Sequence, residues 1–448
     1  MAQATEKVTG YLPDETPSIG KLLIFAFQQI LVMFPATVTV ALLTGFHVST
    51  TIFASGFATI CFLLVTRGKI PLYYGSSFSY IAAIVSITGV KFGEIASDNL
   101  ISQAQFGIIM SGLVSIVVGL IVSRFGMDII EKVLPATVTG SIAMVIGISL
   151  AGTAISQAAG FDSATGLSNN NAWIAALVTL LSTIIFSVYL KGVWGQLPIL
   201  FGISLGYIVA IPLGLVDFSP IVQGAILTAP HFTLPTANWF AVVAIMPIAI
   251  ATIPESTAHL FQLDIYVNNL AKKKGKKEYK IADKLGLNLI GDGIGDIVAS
   301  LFGGPAGTNY GENISTMAIT KNFSVKVLGV AAIMAMGMSF IAPISDAIRS
   351  VPSSVINGAC IFLFGVIGAQ GIAIMINKKV DMFDARNLSV ISAILVVGIG
   401  GSYVFPNGMI PFFGQNLPAI ATAAVVGIVL NLILSIGRKK PVEEKTAA

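Results

Sequence analysis

Long apolar segments separated by short polar connections make up most of this chain. Runs of roughly 12–24 residues end at glycine, proline or charged residues, and such runs have the length of helices that cross the core of a bilayer. The pattern predicts about fourteen membrane-spanning segments. They lie near 21–44, 50–66, 71–88, 103–123, 134–152, 172–190, 197–216, 238–262, 286–302, 308–320, 324–342, 352–376, 388–404 and 414–436. We therefore predict an all-α polytopic membrane protein.

The composition agrees with this class. Hydrophobic residues make up 55% of the chain and charged residues only 10%, with a mean hydropathy of +0.88. A soluble globular protein has about 25% charged residues. The formal charge of +4 belongs to the connections between segments, so it does not indicate a nucleic-acid partner.

The basic residues predict the orientation of the chain. If the amino terminus is cytoplasmic, all of the 25 lysine and arginine residues except Lys91 and Arg349 fall on the cytoplasmic side. Cytoplasmic loops carry such an excess. The lysine-rich connection 272–284 is interpreted as a loop that sets topology rather than as an anionic-lipid or nucleic-acid patch. Both termini are predicted to be cytoplasmic.

Two short motifs recur seven segments apart. Residues 74–79 in the third segment and 310–315 in the tenth both read Tyr-Gly-x-x-apolar-Ser. A Pro-x-x-Val motif begins the fifth segment at Pro135 and the twelfth at Pro352. An odd number of spans per repeat inverts the second copy, so the pattern predicts a seven-plus-seven inverted repeat with substrate at the midplane.

Proline and glycine come just before the apolar part of the third and tenth segments, at 69–77 and 303–311. These residues disfavour a continuous helix. We predict that each segment contains a short extended strand followed by a half-helix. The amino-terminal N–H groups of each half-helix would then point towards the centre of the bilayer, where irregular backbone is tolerated only if it is buried or lines a cavity.

Two glutamates, Glu255 and Glu312, lie inside apolar segments. A carboxylate at membrane depth costs several kcal/mol unless it is protonated, paired or hydrated, so each one is a candidate functional residue. His259 shares a helix face with Glu255 four residues earlier. Burial favours the protonated carboxyl group, so Glu312, His259 and Glu255 are candidates for proton coupling.

The same residues could bind a planar heterocyclic amide such as uracil. A carboxylate accepts from a ring N–H, a protonated carboxyl donates to a carbonyl, and backbone N–H groups of Gly311 and Phe78 could serve other carbonyls. Phe78 or Tyr310 could stack on the ring. For each residue taken alone, a purely structural role is the alternative to substrate binding, since Phe78 and His259 could belong to the core. Asp292 and Asp296, near the end of the ninth segment, are interpreted as helix-capping residues.

Other classes of site find no support in the sequence. Metal-ligand spacings, Walker motifs, nucleotide fingerprints and nucleophile elbows are not found, and the three histidines, Cys61 and Cys360 are too scattered along the chain for a zinc site. We predict no cofactor and no enzymatic activity. Without a nucleotide-binding domain, secondary transport is favoured over ATP-driven transport.

The chain resembles the nucleobase–ascorbate transporter family (nucleobase cation symporter 2), in particular its bacterial uracil branch. The resemblance runs nearly from end to end. It is carried by residues 33–38, 68–71, 75–78, 254–260 and 310–321, the last of which contains the signature that begins Glu312-Asn313 and ends Thr320-Lys321. Three positions depart from the family pattern: Gln29 stands where a histidine is usual, Ser315 replaces the signature glycine, and Pro35 stands where glycine is common.

The resemblance implies a core domain at 1–125 and 238–345 and a gate domain at 126–237 and 346–448. Substrate would lie between strands of segments three and ten, bound by Glu255, Glu312, Phe78, Gly311, Tyr310 and Ala36. Proton-coupled uracil uptake by a homodimer in the inner membrane of a bacterium is the leading prediction. A xanthine or guanine symporter of the same family is the alternative. A sulfate-permease-like anion transporter is less favoured, because that class lacks the glutamate pair.

Overall fold

The computed structural model describes residues 10–90, 93–126, 133–162, 165–219, 225–413 and 415–436. Helices dominate, and two pairs of short strands interrupt them. The first half contains α1 (Ile19–Thr44), α2 (Val48–Val65), β1 (Tyr74–Ser76), α3 (Ile81–Thr88), α4 (Asp98–Phe125), α5 (Ala136–Ala158), α6 (Asn170–Tyr189) and α7 (Pro198–Ala210). The second half contains α8 (Trp239–Ile245), α9 (Ala249–Lys273), α10 (Leu285–Leu301), β2 (Gly307–Asn309), α11 (Gly311–Thr320), α12 (Val325–Met338), α13 (Ala342–Arg349), α14 (Ser353–Asn377), α15 (Ala385–Leu395), α16 (Gly401–Val404), β3 (Met409–Phe412), β4 (Gln415–Pro418) and α17 (Ala419–Ile433).

The predicted all-α membrane fold is confirmed. Every predicted segment overlaps a helix. Within the described ranges, eight helical stretches are long and apolar enough to cross a membrane, and α7, α12 and α17 are shorter apolar helices. The predicted strands of segments three and ten are also present, as β1 and β2. Lys7, Lys91, Lys132 and the basic residues after 436 lie outside the described residues.

The last predicted segment begins too early. Residues 409–412 and 415–418 form an antiparallel hairpin, in which Met409 pairs with Pro418 and Phe412 with Gln415. The helix begins only at Ala419, directly after Pro418. The apolar run at 414–436 therefore contains a strand as well as a helix, because hydrophobicity alone does not distinguish the two.

Two groups of helices pack mainly within themselves. One contains α1, α2, α4, α8, α9, α10 and α12, and the other contains α5, α6, α7, α14, α15 and α17. Contacts between the groups include α9 with α5 and α8 with α17, and α3 also contacts both α5 and α17. The half-helix α3 therefore lies at the boundary between the two groups.

Of the two predicted repeat motifs, one occupies matching positions in the two halves of the chain and the other does not. Pro135 and Pro352 each cap the amino terminus of a helix, and these two helices, α5 and α14, pack against each other. In contrast, Tyr74 lies inside β1, whereas Tyr310 follows β2. The two Tyr-Gly motifs are therefore not at equivalent positions, and Ser77 rather than Tyr74 has the place of Tyr310.

Residues 10–15 lie on the same face as the lysine-rich connection after α9. The N–H of Tyr11 donates to the carbonyl of Lys321 (2.8 Å), and Lys274 Nζ binds Glu15 Oε2 (2.5 Å). Leu12 between them is fully buried. Because α1 begins at Ile19 beside this segment and spans 26 residues, its other end at Thr44 lies on the opposite face of the molecule.

Candidate substrate-binding site

The pairing of β1 with β2 brings the two half-helices together. The strands are antiparallel, so Tyr74 pairs with Asn309 and Ser76 with Gly307. Therefore α11 and the turn 78–80 that leads into α3 leave the strand pair from opposite ends. The first N–H groups of a helix have no partner within the helix and carry partial positive charge. Two such helix ends consequently face the strand pair from opposite sides.

Strand β1 is fixed by hydroxyl groups and by a close ring contact. Ser55 Oγ donates to the carbonyl of Tyr74 (2.8 Å), and the N–H of Tyr74 donates to Thr59 Oγ1 (3.0 Å). A Cβ atom on Gly75 would lie only 2.3 Å from the ring of Tyr310. Only glycine permits this approach, so Gly75 lets the aromatic ring lie directly on the strand backbone.

Asp292 and Asp296 lie on α10 and form hydrogen bonds that fix the strand pair. Asp296 Oδ1 accepts from Tyr74 Oη (2.6 Å) and from the N–H of Gly307 (2.8 Å). Asp292 Oδ1 accepts from Asn309 Nδ2 (2.8 Å), and its other oxygen accepts from Ser256 Oγ. Asp292 is 8% exposed and Asp296 is 2% exposed.

The prediction that these aspartates cap a helix end is wrong. Both lie well inside α10 (Leu285–Leu301), where helix-end N–H groups are out of reach. With Asn288 they form a polar stripe at four-residue spacing, which follows one face of a helix. This stripe was the sequence signal for a buried network, and its partners on β1 and β2 were missed because they come from distant parts of the chain.

Replacing Asp292 by alanine is expected to destabilise the folded protein. The change leaves the amide of Asn309 without its carboxylate partner in a buried site, at a cost of about 1–3 kcal/mol. Thermal unfolding of the purified protein in detergent should show a lower midpoint. Asp283→Ala, at an exposed position before α10, is the matched control and should unfold like the wild type. Equal midpoints for both variants would contradict the assigned role.

The structure brings the two predicted glutamates together beside the half-helices. Glu255 lies half-buried in α9, where Ser79 Oγ approaches its Oε2 atom at 3.5 Å. Glu312 is the second residue of α11, and its side chain is exposed. The helices that carry the two carboxyl groups, α9 and α11, contact each other. An exposed carboxyl beside a half-buried one, at the start of a half-helix, fits a hydrated cavity better than a closed core.

His259 contacts the start of α11. Its ring faces the backbone of Asn309, and a Cβ atom on Gly311 would lie 2.8 Å from its Nε2 atom. Its Nδ1 atom is buried and has no hydrogen-bond partner among the described residues. Phe78 is half-buried and begins the turn 78–80 on the opposite side of the strand pair. His259, one helical turn after Glu255, thus lies against the backbone at the start of the half-helix α11.

Tyr310 and Ala36 are more enclosed than the other predicted site residues, with exposed fractions of 4% and 7%. The hydroxyl of Tyr310 donates to the carbonyl of Ser76 (3.0 Å) and lies 2.9 Å from Thr37 Oγ1. These contacts indicate that Tyr310 supports β1. The predicted stacking of its ring on a substrate stays a prediction.

Gln29 has a specific partner in the signature motif. Asn313 Nδ2 donates to Gln29 Oε1 (2.8 Å) and to the Gln29 carbonyl (3.0 Å), and both residues are buried. Gln29, which stands where the family usually has histidine, thus accepts a hydrogen bond from α11. Sequence reasoning found the departure but not its partner. Ser315, the other departure, is half-buried on α11.

Comparisons with known proteins agree with this architecture. A family model described as "Permease family" matches residues 20–407. The chain belongs to this permease family. The uracil permease of Bacillus caldolyticus is 36% identical over 437 residues, covering 96% of this chain and 95% of that protein. The uracil permease of Escherichia coli (strain K12) is 32% identical over 423 residues, covering 94% and 93%.

The predicted resemblance is therefore confirmed, and the chain is a multi-pass membrane permease rather than an enzyme. Among solved structures, the murine Solute Carrier 26 family member A9 anion transporter in the inward-facing state matches with a TM-score of 0.65. Its sequence identity is 11%, and the match covers 94% of this chain and 69% of that chain. At this identity the likeness concerns the fold alone.

Proposed function

We propose that this permease takes up uracil across the cytoplasmic membrane together with protons. The observation that carries the proposal is the pair of glutamates, Glu255 and Glu312, on contacting helices beside two half-helices that meet at one strand pair. The near end-to-end identity with proteins named uracil permease supports the choice of base.

In this proposal Glu255 recognises the ring of the base. Its carboxylate accepts from a ring N–H, and backbone N–H groups of Phe78 and Gly311 donate to the carbonyl oxygens. Glu312 binds the other side of the base, while Tyr310 and Ala36 form the wall behind the site. The alternation of N–H donors and carbonyl acceptors around the uracil ring then fixes its orientation between the two helix ends.

Proton coupling is assigned to Glu312, with His259 and Glu255 as its partners. Glu312 is the exposed member of the pair, so it exchanges protons with water more readily than the half-buried Glu255. Glu255 and Glu312 lie on contacting helices, so the proposal treats the two carboxyl groups as one pair that carries the coupled proton.

Movement would occur between a core domain (1–125 and 238–345) and a gate domain (126–237 and 346–448). The separate packing of the two helix groups supports this division. The inverted repeat, a homodimer joined through gate domains, and a bacterial inner-membrane location with both termini cytoplasmic belong to the same proposal. Irregular backbone at the strand pair, where it lines the site, is typical of such transporters.

Transport by purified permease in proteoliposomes tests the proposal. Radiolabelled uracil should accumulate when an inward proton gradient is imposed, and a collapsed gradient should allow equilibration only. Unlabelled uracil should compete more strongly than xanthine, guanine or cytosine. Accumulation that follows sodium and ignores protons would contradict the coupling, and stronger competition by xanthine or guanine would favour the purine alternative.

A further inference from the structure

Two histidines and an aspartate meet on the face opposite the lysine-rich connection. His47 directly precedes α2, Asp98 begins α4, and His231 lies in the connection between α7 and α8. The two imidazole rings are 4.5 Å apart between centroids, and His231 Nε2 lies 3.0 Å from each oxygen of Asp98. These histidines are scattered along the sequence, but the fold brings this pair together from distant parts of the chain.

The three side chains have the donor set of a transition-metal site. Among the described residues, each offers a ligand atom within 4.8 Å of the others. Ligand atoms of a tetrahedral zinc ion lie about 3.4 Å apart, with bonds of about 2.0–2.2 Å. Small side-chain rotations would therefore bring these atoms into bonding range.

The backbone that carries these ligands is fixed to the first helix group. The carbonyl of His231 accepts from Thr50 Oγ1 (2.7 Å), and the next ring, Phe232, packs 5.1 Å from Phe53. Thr233 Oγ1 then donates to Gln105 Oε1 on α4 (2.9 Å). A metal site needs such supporting contacts, because they hold the ligands near their bonding geometry before the ion arrives.

The site is also open to the solvent. The side chains of His231 and Asp98 are 51% and 62% exposed, whereas His47 is half-buried beneath them. An ion can therefore enter from water without any opening of the fold. Three protein ligands leave the fourth position of a tetrahedral ion to a water molecule.

We propose that His47, Asp98 and His231 bind one divalent transition-metal ion of the zinc class. Two imidazoles and one carboxylate suit zinc better than calcium or magnesium, which prefer oxygen ligands. The ion would tie the connection between α7 and α8 to the starts of α2 and α4. This connection joins the two helix groups, so metal binding stabilises the fold at the point where the groups are linked.

Zinc titration of the full-length permease tests this site. The protein is purified in detergent, freed of any histidine tag and stripped with a chelator, and ZnCl₂ is added in a calorimeter. We expect saturation at one ion per chain and a higher thermal midpoint with zinc than with chelator. His231→Ala and Asp98→Asn should each weaken zinc binding at least tenfold and remove the thermal shift.

Asp217→Asn is the matched control. Asp217 is an exposed acid after α7 whose carboxylate accepts from Ser219, outside the cluster. This variant should bind zinc like the wild type. Because Asp98→Asn keeps the size and the hydrogen-bonding shape at the start of α4, it remains informative if His231→Ala does not fold. Absence of saturable binding by the wild type, or wild-type affinity in Asp98→Asn, would reduce the cluster to a contact between His231 and Asp98 beside a second histidine ring and overturn the proposal.

Discussion

Glu255→Ala is expected to weaken uracil binding strongly. The side chain lies half-buried in α9, beside Ser79, and α9 contacts the helix that carries Glu312. Its loss would leave a ring N–H of the bound base without an acceptor in a site largely shielded from water. An unpaired buried donor costs about 1–3 kcal/mol, and more when the lost partner is charged. The affinity should therefore fall by about ten- to a hundredfold or more.

Calorimetric titration of the purified variant with uracil measures this effect. Glu255→Gln should bind more tightly than Glu255→Ala, because the amide oxygen still accepts a hydrogen bond. Glu278→Ala, at an exposed acid in the connection after α9, controls for the loss of a negative charge and should bind uracil normally. Wild-type affinity of Glu255→Ala for uracil would show that Glu255 does not bind the base.

Glu312→Gln is expected to separate binding from proton-driven accumulation. Glutamine resembles a permanently protonated carboxyl group that can still form hydrogen bonds. The variant should therefore retain part of its uracil binding and exchange uracil across the membrane. It should lose accumulation against a gradient, because it can no longer take up and release a proton. Binding should also depend less on pH than in the wild type.

Counterflow and gradient-driven uptake in the same proteoliposomes distinguish these outcomes. Counterflow reports exchange alone, and uptake under an imposed proton gradient reports coupling. If Glu312→Gln still concentrates uracil in response to the gradient, Glu312 does not carry the proton. Glu255, together with His259 one turn away on the same helix, would then be the next pair to test.

Much of the architecture follows from local sequence patterns. Apolar runs of spanning length predicted most of the helices, because a backbone in lipid must satisfy its own hydrogen bonds. The short helix α13 (Ala342–Arg349) was missed, since it lies between two predicted segments. Proline and glycine before segments three and ten predicted the strands β1 and β2, since these residues disfavour continuous helix. The glutamates were also found from sequence, because a carboxylate within an apolar run is costly wherever the chain folds.

Tertiary structure alone decided which distant residues meet. Asp296 binds Tyr74 and Gly307, and neither spacing nor composition indicates such partners. The antiparallel register put Tyr74 within its strand and Tyr310 after its strand, although their motifs look alike. His47 and His231 pack against each other only because the connection before α8 returns to the start of α2. A local sequence pattern reflects the free energy of placing each residue in lipid. Which distant residues contact each other depends on how the whole chain packs.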